Sequence, residues 1–214
     1  MKNGIRLFIL STIITVLANA ASLTTTYASN NNESGNMFDV VAKTNIVITG
    51  FDMNLFETAG TSVTIEVYGK PGTWVGSETT VGDWTLLATA MTTSAGTGNP
   101  TSIQNVINQS ILSGDTYSFY VTTNNPTSYL RYTNGTAIGN VFIENTEVQI
   151  LEGAGKGYPF GATFQPRIWN GTLYYNLGVS TTAAVAVPLS PFGKAFLLFA
   201  MAMIATFMVR RRIA

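Results

Sequence analysis

The side chains that could do chemistry are few, because the 214-residue chain contains neither cysteine nor histidine. Those two absences remove thiolate and imidazole zinc sites, Ser-His-Asp and Cys-His catalysis, and histidine acid–base work. Carboxylates, hydroxyls and amines remain. Glu144, Glu147 and Glu152 lie close together in sequence. A glycosidase needs two carboxyls facing each other across a cleft. Positions 144 and 147 are three apart, so a regular strand points them to opposite faces. The spacing therefore favours solvated strand ends. Asp39, Asp52, Asn54, Asp83 and Asp115 are hard oxygen donors suited to a structural calcium. Each also suits a turn, and no EF-hand pattern links them. No cofactor is expected beyond that calcium option.

Gly153-Ala154-Gly155-Lys156-Gly157 looks like a phosphate loop but lacks its parts. Ile150 stands where the first glycine of a Walker A loop belongs, and Gly157 where Ser or Thr would reach magnesium. A plain glycine-rich loop over Gly153 to Gly161 is the expectation. Trp74, Trp84, Trp169, Tyr158 and Tyr175 could form a platform for stacking sugars. Strand patterns flank Trp84 and Trp169, which marks those two as core. Trp74 lies between Pro71-Gly72 and Gly76, so it is the ring expected to be exposed and to contact a glycan. Asn108, Asn134 and Asn170 fall in N-x-[ST] sequons, a weak pattern in a bacterial context.

The elements that must carry these residues are read from periodicity. Ile46, Ile48 and Phe51 start a period-two pattern, and Val63, Ile65 and Val67 alternate with Thr64, Glu66 and Tyr68. Gly69 to Gly72 is a turn signal. Trp84 to Met91 is a further strand, and Ser94 to Pro100 a loop. Ile103 to Leu112 fits either a short helix or two brief strands. Tyr117, Phe119 and Val121 form the clearest strand, entered from Ser113-Gly114-Asp115. Strands follow at Tyr129 to Thr133, Val141 to Ile143, Val148 to Leu151, and Ile168-Trp169 leading through Asn170-Gly171 into Leu173 to Leu177. Eight to ten short strands with frequent turns predict an all-β fold, an antiparallel β-sandwich of jelly-roll type. Its first and last strands are expected to pair.

Both ends of the chain read as addresses. Lys2 and Arg6 precede the apolar run Leu7 to Leu17, and Ala18-Asn19-Ala20 is an A-x-A cleavage site. That combination predicts a signal helix over 1–20 and a mature chain starting at Ala21. At the other end, Val187-Pro188-Leu189-Ser190-Pro191-Phe192-Gly193-Lys194 leads into 15 residues, Ala195 to Val209, that are apolar except for Thr206, and then Arg210-Arg211-Arg212. As a helix the apolar run is roughly 22 Å long. That is short for a hydrocarbon core of about 30 Å, a gap that Lys194 and Arg210 can narrow by snorkelling. The arginines favour the cytoplasmic side. A membrane helix is the expectation.

Motif, short helix and arginine cluster together resemble the tails sorted by exosortase-type enzymes in Gram-negative bacteria, PEP-CTERM and its IPTL-CTERM variant. Val187-Pro188, Leu189-Ser190 and Phe192-Gly193 look like the Ile-Pro, Leu-Ser and Trp-Gly of the latter. There is no Pro-Glu-Pro. The resemblance covers about the last 26 residues. It implies export by Sec-type machinery, an exosortase-like processing enzyme as partner, and at least transient anchoring in the membrane through the C-terminal helix. A looser likeness, carried by Gly82 to Leu87, Tyr117 to Thr122, Leu130 to Gly135 and Pro166 to Thr172, resembles a module of exported bacterial proteins and implies no activity.

The predicted organisation is therefore a signal peptide over 1–20, a flexible polar leader over 21–39, a β-sandwich over 40–178, a Thr/Ala linker over 179–187, and the tail over 188–214. Outside the signal and tail, five basic residues face all eleven acidic ones, so the body carries −6. Such a body has no footprint for nucleic acid. The expected function is structural or adhesive, at the cell envelope or in an extracellular matrix, without catalysis. The alternatives are a polysaccharide-binding module using Trp74 and a hydrolase working through paired carboxylates.

Overall fold

In the computed structural model, which describes residues 19–178, every regular element except one 3-10 turn, Val81–Asp83, is a β-strand. The strands are β1 Ala20–Thr24, β2 Asn31–Glu33, β3 Gly35–Ala42, β4 Ile46–Asn54, β5 Ser62–Pro71, β6 Thr85–Thr93, β7 Pro100–Ile103 and β8 Gln109–Ile111. They continue with β9 Thr116–Thr123, β10 Leu130–Asn134, β11 Val141–Glu144, β12 Val148–Leu151, β13 Gly153–Lys156, β14 Thr163–Trp169 and β15 Gly171–Leu177. Residues 1–18 of the expected signal helix, Ala18 among them, and the expected C-terminal membrane helix with the whole motif from Val187 to Arg212 lie outside the described residues. Among the described residues no helix is long and apolar enough to cross a membrane.

The strands make two antiparallel sheets. The smaller has five strands in the order β1-β15-β4-β7, with β8 also on β4. β4 is long enough to serve two partners, β8 along Ile46 to Ile48 and β7 along Phe51 to Asn54. The larger has ten strands, ordered β2-β10-β14-β13-β3-β9-β5-β6, with β12 added to β3 and β11 to β12. β3 is shared in the same way, by β13 along Gly35 to Met37 and by β12 along Val40 to Ala42. The expected pairing of first and last strands is present, since β1 runs antiparallel to β15 with Ala20 opposite Asn176 and Thr24 opposite Thr172.

One core lies between the sheets. The alternation predicts it: Val63, Ile65 and Val67 of β5 and Phe119 and Val121 of β9 are buried together with Ile46, Ile48 and Phe51 of β4. Trp169 of β14 joins the two layers. Its ring stacks on Phe38 of β3 at 4.4 Å between centroids and meets Phe51 edge-on at 5.7 Å. Phe51 in turn packs edge-on against Phe119 at 5.2 Å. Offset and edge-to-face contacts of this kind add about 0.5–1.5 kcal/mol per pair beyond area burial.

Four sequence expectations are corrected. The chain has fifteen described strands, not eight to ten. The flexible leader over 21–39 is not a leader, because it forms β1, β2 and the first part of β3. Its poverty in apolar residues hid this, yet its backbone is satisfied by pairing with β10, β9, β13 and β15. The described strands therefore begin at Ala20, ahead of the boundary expected at residue 40. The glycine-rich stretch expected to be a loop is, over Gly153–Lys156, an interior strand of the larger sheet. Small residues are required there. A Cβ on Gly153 would sit 1.9 Å from the Met37 carbonyl oxygen, and one on Gly155 would sit 2.5 Å from the Tyr132 ring. Ile103 to Leu112, open between helix and strands, resolves into the brief strands β7 and β8.

Candidate functional site

The larger sheet is buried on both faces along β3, β9 and β13, which decides where the candidate side chains go. Along β3, Phe38, Val40 and Ala42 face the core, while Met37 and Asp39 face outward and are also buried. Two loops cover that outer face. The segment after β5 brings Trp74 and Trp84 over it, and the segment after β13 brings Phe160. With Met37, Tyr120 and Ala154 these form a second apolar cluster.

Trp74 is fully buried, so its expected glycan contact is corrected. The turn at Pro71-Gly72 folds the chain back onto the sheet, and Asp39 holds it there. Thr73 Oγ1 donates to Asp39 Oδ2 at 2.7 Å and the Trp74 backbone N–H donates to Oδ1 at 3.2 Å. Ser118 Oγ on β9 lies 2.7 Å from the same Oδ1. The Trp84 indole N–H donates to the Ser77 carbonyl at 2.9 Å, closing the loop on itself. Proline and glycine around Trp74 suggested exposure in the sequence. They serve to aim the ring inward.

The three glutamates play three separate parts. Glu144 is exposed and paired with Lys43 at 2.7 Å, and the Lys43 ammonium and Gln149 hold its carboxyl below the usual range. Glu147 accepts from Thr146 Oγ1. Glu152, expected at a solvated strand end, is instead buried. It accepts from the Thr136 hydroxyl at 2.9 Å and from the Ala137 backbone N–H at 3.0 Å, pinning the loop between β10 and β11. Neither concave region described below brings two carboxylates together.

The candidate calcium ligands are likewise engaged apart from one another. Asp52 accepts from the Tyr174 hydroxyl at 2.7 Å, Asn54 accepts from the Gly98 N–H at 2.8 Å, and Asp83 accepts from Ser77 Oγ at 2.7 Å. Among the described residues no group of three or more acidic side chains is placed to hold a metal ion. Lys156, the residue of the apparent phosphate loop, is also fully buried. It donates to Thr163 Oγ1 at 2.8 Å and to the Gly161 carbonyl, and burial pushes its ammonium pKa down. It is a structural clasp between β13 and β14.

Open depressions lie among the described residues. A groove of 550 Å³ lies between Pro71-Gly72, Gln109–Ile111 and the Gly114 to Tyr117 segment. Asp115 is its single charged lining residue. A smaller cleft of 260 Å³ lies over the far edge of the larger sheet, lined by Asn31, Asn32, Glu33, Tyr132, Phe164 and Arg167. It has the more varied chemistry. Phe164 is 41% exposed and offers an aromatic surface. Arg167 lies over the Tyr132 ring at 5.8 Å, and its buried Nε has no hydrogen-bond partner. Burial raises the Tyr132 hydroxyl pKa, partly offset by the Arg167 guanidinium. An aromatic surface beside amides, a carboxylate and a guanidinium can stack against and hydrogen-bond a polyol. The sequence offered no signal for this cleft, since β2 was read as leader and Phe164 stands outside any alternating run.

No family model matches the sequence, and no curated protein matches it. Among solved structures, the infectious bursal disease virus VP2 subviral particle aligns with a TM-score of 0.26 and 11% identity. The alignment covers 92% of this chain and 53% of that one, so the chain spans about half the length of that protein.

Proposed function

We propose that this chain is an exported, jelly-roll-like β-sandwich with a structural or adhesive role, delivered to the envelope or extracellular matrix of a Gram-negative bacterium and sorted through its C-terminal tail. Sec-type export machinery and an exosortase-like enzyme are its processing partners, and the membrane is its anchor at least transiently. The observation that supports this reading is the order of features along the sequence. The described strands, Ala20 to Leu177, lie between the A-x-A site and the Thr/Ala segment with its tail. Cleavage before Ala21 removes one residue of β1 and leaves the Ala21 to Thr24 pairing with β15 intact. The non-catalytic part of the reading is supported by the engagement of Asp39, Glu152 and Lys156 in structural hydrogen bonds.

Intact mass of the protein recovered from envelope and medium tests it. The expected product starts at Ala21 and ends between Pro188 and Pro191. A product that keeps Lys2 or Arg210 to Arg212 overturns the sorting assignment.

The cleft at Phe164 favours a second reading, a polysaccharide-binding module with its aromatic surface at Phe164 in place of Trp74. Here Phe164→Ala is expected to weaken retention on a neutral-glycan gel by about 1 kcal/mol, roughly fivefold. Because the ring is 41% exposed, the thermal midpoint should not move. Equal retention of the two proteins at equal loading removes this reading and leaves the structural one standing.

A further inference from the structure

The sheets have several edges, and the others are short or carry a charge or a proline against pairing with another strand. Exposed edges present unpaired backbone groups, and proteins blunt them with shortness, charge, proline or bulges. β2 is three residues long and contains Glu33. β8 is also three residues. β7 begins with Pro100. β11 has four residues, an irregular register and Glu144 at its end. β1 has five residues and sits beside the cleavage site.

β6 is different. It has nine residues, T-L-L-A-T-A-M-T-T, with no charge and no proline. It ends the ten-stranded sheet, its ladder partner is β5 alone, and near its end the Thr92 hydroxyl donates to the Ser102 carbonyl of β7 at 3.0 Å. Its single irregularity lies where Val67 and Tyr68 face Ala88 and Leu86, which leaves Ala88 to Thr93 in regular register. Leu86 and Met91 stand outward, 51% and 78% exposed.

We propose that β6 pairs antiparallel with β6 of a second copy of this chain, joining two ten-stranded sheets across a two-fold axis near Thr89. This goes beyond the structural role proposed above by naming the partner and the surface. Three observations select a second copy over a foreign strand. The strand reads nearly the same in both directions about Thr89, with Ala88 and Ala90 next to it and Leu87 and Met91 beyond them. A two-fold interface requires such self-complementarity. The body carries −6, so self-association needs a contact free of like charges, and β6 supplies nine uncharged residues. Asp83, the nearest charge before the strand, would lie opposite the uncharged segment Ser94 to Gly98 of the other copy.

Because the chain has no cysteine, a single introduced one reports this contact alone. Thr89 and Thr146 are both exposed, the second in the turn between β11 and β12. Thr89→Cys and Thr146→Cys are each treated with a short thiol-to-thiol linker, using the protein as cells deliver it. Paired residues across a strand junction hold their Cβ atoms about 4.5–5.5 Å apart, so only the first should give a dimer at low concentration. Thr89→Lys, which sets two ammonium groups opposite each other, is expected to raise the dimer dissociation constant by roughly fivefold or more in sedimentation, with an unchanged thermal midpoint of the monomer. Equal cross-linking at the two positions overturns the proposal. So does a cross-link at residue 89 to a different protein, or an unchanged dissociation constant in Thr89→Lys.

Discussion

Asp39→Ala is expected to lower the stability of the protein by about 3 kcal/mol or more, judged from about 1.5–3 kcal/mol for each buried hydrogen bond to a charged group. Two donors lose their acceptor at once, the Thr73 hydroxyl and the Trp74 N–H. The Ser118 hydroxyl loses Asp39 as well and is left with the Gly72 carbonyl. The change also releases the loop that places Trp74 on the outer face of the sheet. Domains of this size are stable by about 5–15 kcal/mol, so the loss is a large fraction of the total. Urea unfolding followed by tryptophan emission reads both effects. The midpoint should fall, and the native emission should move to longer wavelength as Trp74 meets solvent. Asp39→Asn keeps an acceptor oxygen for Trp74 and Ser118 and should cost about 1 kcal/mol. An unchanged midpoint in Asp39→Ala would show that the loop is held by apolar contacts alone.

Trp169→Ala is expected to be the most damaging single change, costing about 3–5 kcal/mol. The ring is 1% exposed and touches both layers, stacking on Phe38 and meeting Phe51 edge-on. Alanine leaves a cavity between two sheets whose spacing is fixed by the other core side chains, so the walls can close only partly. Trp169→Phe should recover part of the loss, because a smaller ring can still stack on Phe38. Tm and urea midpoint measure the series, with Phe164→Ala as the exposed aromatic reference. If Trp169→Ala stays within about 1 kcal/mol of the parent, the inter-sheet aromatic cluster is not the organising contact.

Legibility from sequence followed burial. Strands with one wet face, such as Val63 to Val67, show the alternation that a half-buried position requires, and they were legible. β3 was not, because apolar residues stand side by side in it at Met37-Phe38 and Val40-Val41, whereas β9, equally buried, keeps the alternation. β13 was hidden for a related reason. Close packing against Met37 and Tyr132 demanded glycine, and glycine reads as loop. Trp74 was misjudged because its local neighbours describe a turn, while its environment is set by Asp39, distant in sequence. The cleft at Phe164 depends on β2, β10 and β14 lying side by side, which no local pattern encodes.

The pairing of β1 with β15 also sets an order of events. The chain is made from its N-terminus, so the first strand exists long before the last. Ala20 to Thr24 has no partner until Thr172 to Asn176 has emerged, and β15 also supplies the link from β1 to β4. Contacts of such long sequence separation close late, after a large loss of chain entropy. The five-stranded sheet therefore cannot be completed on a growing chain. Until β15 has been made, β1 has no partner and β4 is paired only on the side of β7 and β8, so the final strand is the one that closes the sheet.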